Sequence, residues 1–164
     1  MTRRSWYLVT ALAFALHNGE EALGATRMIQ VLQTSGPAYV RAFYVGIDPS
    51  QLRMNLLALT LIGLLLAVLA ARVPSSPTLT FLMLVFVAVI GLNALAHLAL
   101  ALMLGGYMPG LLTAIVANLP VAALVATQAW RERWVPRWSL GLVVAVALVV
   151  HGPLLAAFMR ITAA

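Results

Sequence analysis

The stretch PTLTFLMLVFVAVIGLNALAHLALALML, from Pro77 to Leu104, decides the fold. It contains no acidic residue, lysine or arginine, and it is longer than the ~20 residues that a helix needs to cross the hydrocarbon core of a bilayer. In lipid every backbone N–H and C=O group must be paired, which leaves helices and closed barrels as the spanning structures. This segment therefore predicts a transmembrane helix.

The composition extends this interpretation to the whole chain of 164 residues. Hydrophobic residues make up 63% of the sequence and charged residues 9%, and the mean hydropathy is +1.02. Because a soluble domain carries about 25% charged residues, the sequence predicts an integral membrane protein. The long unbroken apolar runs favour helices over a barrel.

Five apolar segments of suitable length follow one another, and four of them begin at or beside a proline, which suits the first helical turn. We predict an all-α fold, a polytopic membrane helical bundle of about five transmembrane helices, forming a single membrane domain over residues 1–164. The helices are expected at roughly 6–26, 49–71, 77–104, 109–130 and 137–160, with residues 27–48 as an interfacial connector.

The ten basic residues are all arginine, and they lie at the ends of the predicted helices. This distribution indicates topology signals rather than nucleic-acid binding, so the expected partner is the lipid bilayer and no nucleic acid. Six arginines fall on the N-terminal side and four on the other, which predicts a cytoplasmic N-terminus. The first apolar run resembles a signal peptide, but a cleavage site after Ala25 would place Leu23 at a position that prefers a small residue. We therefore interpret this run as a retained first helix.

The chain has no cysteine, which excludes disulfides, thiolate metal ligands and cysteine nucleophiles. Its ionisable groups are concentrated in the segment LHNGEEAL, Leu16 to Leu23, although the whole sequence has three histidines and four acidic residues. At a rise of 1.5 Å per residue, the polar residues of all five segments fall in one slab about 8–17 Å below one membrane surface. These residues are His17, Glu20, Glu21, Asn55, Asn93, His97, Asn118 and His151.

A carboxylate at this depth costs about 2.5–3.5 kcal/mol, so something must compensate for Glu20 and Glu21. A metal does so most economically, because a histidine and a glutamate three or four residues apart on one helix form a common ligand pair. We predict one divalent metal, zinc or iron, held by His17, Glu21, His97 and His151. Glu20 or Glu21 would then act as the general base, and Asn93 would hydrogen-bond to the substrate.

The pattern His17-x-x-Glu20-Glu21, with Asn93-x-x-x-His97 in a middle helix and a late His151, resembles the HXXEE-motif family of small bacterial membrane proteins. The segment GYMPG, Gly106 to Gly110, is also similar to the pattern of that family. The resemblance spans nearly the whole chain. It implies a membrane location, which we expect to be the bacterial inner membrane, and a functional His/Glu cluster. It implies no reaction, because the activity of the family has not been generally assigned.

Three functional hypotheses follow. The first is a membrane metalloenzyme that acts on a lipophilic small molecule by metal-activated water or oxygen. The second is a metal-free acid–base isomerase or cyclase of an isoprenoid or sterol-like substrate, for which the architecture is similar to that of the emopamil-binding proteins. The third is a transporter or proton-coupled carrier. Five helices without an internal repeat do not form a complete transporter, so this hypothesis requires a homodimer.

Overall fold

Helices form nearly all of the part of the chain that the computed structural model describes, residues 1–161, and this confirms the all-α prediction. No strand occurs within residues 1–161. In chain order the helices are α1 (Arg3–Leu23), α2 (Ala25–Thr34), α3 (Ala38–Tyr44), α4 (Pro49–Arg72), α5 (Pro77–Leu104), α6 (Leu111–Arg131) and α7 (Arg137–Ile161).

Four of these helices, α4 to α7, are long and apolar enough to cross a membrane, and they make this an integral membrane protein. The sequence predicts about five such helices, so the two counts differ by one. The difference lies in α1, which has 21 residues but carries His17, Asn18, Glu20 and Glu21 in its second half. Those polar residues lower its average hydropathy.

The helix bounds differ from the expected ones by a few residues at most of the ends, whereas α5 occupies the expected range. The predicted connector at 27–48 lies mostly in two short helices, α2 and α3, which are separated at Gly36 and Pro37. The amide of Gln33 in α2 donates hydrogen bonds to the carbonyls of Tyr44 and Ile47, at 2.8 and 3.1 Å. These bonds fix the end of α3 against α2.

α1 lies antiparallel to α4 along the length of both helices. At one end the Arg3 guanidinium donates to the carbonyl of Pro74, just beyond the end of α4, at 3.0 Å. At the other end Arg53, in the first turns of α4, donates to the carbonyl of Ala22 at 3.0 Å. Between them the Asn18 amide donates to the hydroxyl of Thr60 at 2.8 Å. The two helices therefore cover the same thickness.

Two buried apolar clusters divide the bundle into levels. One cluster lies towards the N-terminal side and includes Tyr7, Met83 and Val143. The other lies towards the opposite side and includes Met28 and Met159. Along α1, α5 and α7 the residues of the first cluster come before the histidine of each helix, and the residues of the second cluster come after it. The polar slab therefore sits between two apolar layers.

A wide helical turn interrupts both α6 and α7 near a proline. Residues Ala114–Asn118 and Val150–Leu154 form π-helical turns, the first just before Pro120 and the second around Pro153. Proline has no N–H and clashes with the carbonyl four residues earlier, so the helix must widen or bend there. Isolated π turns occur often at functional sites, and these two lie at the level of the polar slab.

Candidate metal and ligand site

Three predicted ligands meet in the interior. One ligand atom from each of His17, Glu21 and His97 lies within 4.8 Å of the others, and all three side chains are buried. The Nε2 atom of His97 lies 2.8 Å from Oε1 of Glu21, and Nε2 of His17 lies 3.8 Å from the same oxygen. The two imidazole rings meet edge to face, with centroids 4.8 Å apart. The helices α1 and α5 thus bring two histidines and one carboxylate together, as their depth predicts.

The partners of His17 set its tautomer. The Thr113 hydroxyl donates to Oε2 of Glu20 at 2.5 Å, so its oxygen accepts a hydrogen bond from Nδ1–H of His17 at 3.1 Å. With the proton on Nδ1, the lone pair of Nε2 points into the cluster. There it accepts from the amide of Asn93 at 2.6 Å. A carboxylate that orients a histidine through its second nitrogen is the usual environment of a metal ligand.

Glu20 occupies a different place from Glu21, although the two are adjacent in sequence. Its carboxylate lies at the start of α6, where it accepts hydrogen bonds from three backbone N–H groups and two hydroxyls. The donors are the N–H groups of Gly110, Leu112 and Thr113 and the hydroxyls of Tyr107 and Thr113. A negative charge there also complements the helix dipole. Glu20 therefore caps α6 from another helix, and its hydrogen bond from Tyr107 raises the pKa of that phenol.

The loop that carries these donors is held close to the cluster by two glycines. A Cβ atom at Gly110, whose φ is +91°, would lie 2.5 Å from Cε1 of His97 and 2.9 Å from Cγ of Glu21. A Cβ atom at Gly24 would lie 2.4 Å from Cβ of Pro109. Both approaches exclude larger residues, and Gly110 in the segment GYMPG lets the backbone reach His97 and Glu21.

A cavity of about 430 Å³ adjoins the cluster and is open to it through Glu21 and Asn93. His151 also lines this cavity and lies near enough to interact electrostatically with His97 and Glu21. It does not belong to the group of three whose ligand atoms lie within 4.8 Å. The structure therefore brings together three of the four predicted metal ligands and places the fourth in the wall of the cavity.

The other polar residues of the slab have structural surroundings. Asn55 donates to Sδ of Met159 at 3.2 Å and so links α4 to α7. Asn118 is buried in the π turn of α6, and no hydrogen-bond partner is found for its amide within residues 1–161. Sequence reasoning missed Asn18, which bonds α1 to α4, and also the hydroxyls of Tyr107 and Thr113. The position of Thr113, just after a Pro-Gly helix start, is the signal that could have found it.

The donor set fits a metal ion. Two imidazoles and one carboxylate form the ligand set of catalytic zinc sites that keep one position open, and also that of non-haem iron sites. The buried Nδ1 atom of His97, which has no hydrogen-bond partner among the described residues, shows that this ring is not fully used by the protein itself. The arrangement can hold one divalent cation, or it can transfer a proton between His97 and Glu21.

The chain belongs to the HXXEE family, whose model, described as a protein of unknown function with an HXXEE motif, matches residues 8–126. The matched region contains His17, Glu20, Glu21, Asn93 and His97, and it ends before His151. No curated protein and no solved structure matches the chain.

Proposed function

We propose that this member of the HXXEE family is an integral membrane enzyme that depends on a divalent metal and acts on a lipophilic substrate. One observation carries the proposal. Two histidines and a carboxylate converge within 4.8 Å in the buried interior, beside a cavity lined mostly by apolar side chains. A zinc or iron ion there would supply a Lewis acid that activates water or, for iron, oxygen.

The protein would contribute position, charge and exclusion of water. His17, Glu21 and His97 would hold the ion. Asn93, whose amide donates to Nε2 of His17 in this structure, would release that nitrogen to the ion and face the substrate. Glu21 lines the cavity, so it is the carboxylate that can touch the substrate. We assign Glu20 to the support of α6 and of the His17 tautomer, in place of the general-base role that the sequence suggests. His151 is a further ionisable group that the cavity offers to a substrate.

We further propose that α1 is a fifth membrane span and that the N-terminus is cytoplasmic, in a bacterial inner membrane. If α4 spans the bilayer, the end-to-end contacts at Pro74 and Ala22 require that α1 does so too. Because the chain has no cysteine, single cysteines can report the topology. Thr2→Cys and Ser75→Cys should react with a membrane-impermeant maleimide from the cytoplasmic side, and Ser35→Cys from the other. Labelling of all three from one side would contradict the proposal.

Elemental analysis of the detergent-purified protein tests the metal proposal. We expect near-stoichiometric zinc or iron in the wild type and its loss in His17→Ala and in His97→Ala. Asn55→Ala is the matched control, because this buried residue lies in the same slab and bonds to Met159, and it should keep the metal. Metal-free wild-type protein from metal-supplemented cells would overturn the proposal, as would full metal content in His97→Ala.

A second candidate is a metal-free acid–base enzyme, such as an isomerase or cyclase of an isoprenoid or sterol-like substrate. The observation that favours it is the 2.8 Å contact between Nε2 of His97 and Oε1 of Glu21, a geometry in which one group can relay a proton to the other. Catalysis by protein that elemental analysis shows to be free of metal would select this candidate over the first.

A further inference from the structure

We infer that the cavity beside Glu21 binds an uncharged, single-chain lipid with a hydroxyl-bearing head, which enters sideways from the bilayer. The inference deepens the proposed function and rests on it in one respect, namely that the Glu21 end of the cavity is where a substrate would react. The shape of the cavity, the charge of its lining and the position of its opening each support it.

The shape fits one extended chain. Below the polar slab the walls are apolar stripes of α4 and α5, which run from Leu59 to Leu66 and from Leu82 to Val89. Asn93 and Leu82 mark the polar and apolar ends on α5 and are eleven residues apart, so this part of the slot is about 16 Å long. If a methylene group occupies the ~30 Å³ of a water molecule, the cavity of 430 Å³ holds one chain of about a dozen carbons with a small head.

The lining of the cavity favours an uncharged head over an anionic one. Six polar side chains line the cavity. Five of them lie at the level of the slab, namely Asn18, Glu21, Asn55, Asn93 and His151, and the sixth is Tyr44 at the end of α3. No arginine is among the described residues that line the cavity. A phosphate or carboxylate head would therefore lack the guanidinium partner that normally binds such groups, and the charge of the proposed metal ion would already be partly offset by Glu21. Carboxylate and amide oxygens accept hydrogen bonds, so a head with hydroxyl donors is complementary.

The opening faces the lipid. Three residues that line the cavity are also exposed on the outside of the bundle at membrane level: Ile62 at 59%, Leu82 at 41% and Leu154 at 56%. They belong to α4, α5 and α7, so the gap lies between neighbouring helices. At the opposite end Met28, Phe43 and Tyr44 close the cavity under α2 and α3. A guest would therefore come from the hydrocarbon core of the bilayer and not from the aqueous surface.

The test uses a photoreactive 1-lauroylglycerol, whose chain of twelve carbons matches the slot, with a diazirine on the chain. Unlabelled 1-lauroylglycerol or its phosphomonoester serves as the competitor. These competitors share the chain and the glycerol and differ in the phosphate. We expect crosslinks on the apolar stripes of α4 and α5, which the neutral competitor removes at least about ten-fold more effectively than the phosphomonoester. Equal competition by the phosphomonoester in the wild type, or crosslinks confined to outward-facing residues, would overturn the inference.

A pair of variants checks the position of the chain. Leu59→Trp fills the slot and should reduce crosslinking about ten-fold. Leu57→Trp, two residues away on the outer face of α4 and 52% exposed, should not reduce it. Undiminished crosslinking in a folded Leu59→Trp variant would refute the assigned slot. Metal content, measured in the same samples, reports on the proposed function separately, because Leu59 is not among the three ligands.

Discussion

Replacing Glu20 by alanine should destabilise the start of α6, because this carboxylate is the cap of that helix. Glu20 accepts three backbone and two hydroxyl hydrogen bonds. Loss of an N-cap costs about 0.5–2 kcal/mol, and each hydrogen bond to a charged group contributes about 1.5–3 kcal/mol. The five bonds share one partly exposed carboxylate, and water can re-pair some donors, so the contributions do not add. We expect the free energy of unfolding to fall by about 2–4 kcal/mol.

The assay is equilibrium unfolding in mixed micelles of dodecyl sulfate and a neutral detergent, followed by circular dichroism. Glu132→Ala is the matched control, because this carboxylate at the other end of α6 bonds only to nearby Gln128 and Trp134 in the described structure. Its removal should cost much less. If Glu20→Ala unfolds like the wild type and loses activity alone, the capping role is refuted and Glu20 returns as a candidate general base.

Three further predictions follow from the same site and from the start of α4. Thr113→Val should weaken metal binding about 10–100-fold by removing the hydroxyl that orients the imidazole, and Thr113→Ser should restore it; equal affinities measured by titration would contradict this. Gly110→Ala should lose metal, measured by elemental analysis, and stability, measured by equilibrium unfolding. Gly106→Ala, whose Cβ would meet no atom within 4 Å, should keep both. The Ser50 hydroxyl and nearby backbone N–H groups lower the pKa of Asp48, so its stabilisation is present above the pKa of the unfolded carboxyl and is lost as pH falls through the lowered folded value. Asp48→Asn should flatten the acid side of the stability–pH profile, and an unchanged profile would refute this.

The level of the candidate site residues could be predicted from sequence because helix rise converts residue number into depth. His17 and His97 are separated by 80 positions and still meet, since each lies about as far from the end of its own helix. The bounds of α5 were equally accessible, because a proline begins the helix and Gly105, with φ of +66°, ends it.

The separation of Glu20 from Glu21 could not be predicted in the same way. Helical phase places both on one side of α1, but the loop before α6 folds back and binds Glu20 through contacts 87 to 93 positions away in the sequence. Phase also fails for His151, because the π turn at Val150–Leu154 changes the rotation between the residues before and after it. Long-range loop contacts and irregular turns have no local sequence pattern of sufficient strength.

The polar residues that α1 contributes to the proposed site also lower its average hydropathy. Its inward face buries Thr10, His17, Asn18 and Glu21, while Leu8, Leu12 and Leu16 follow one another at every fourth position on its outward face and are 48 to 58% exposed. A soluble helix would show the opposite arrangement, with leucines inside. An outward leucine face and an inward polar face are compatible with a lipid environment around a bundle that encloses its polar cluster. An average over the whole helix cancels these two faces, which is why α1 is not among the four helices that hydropathy selects.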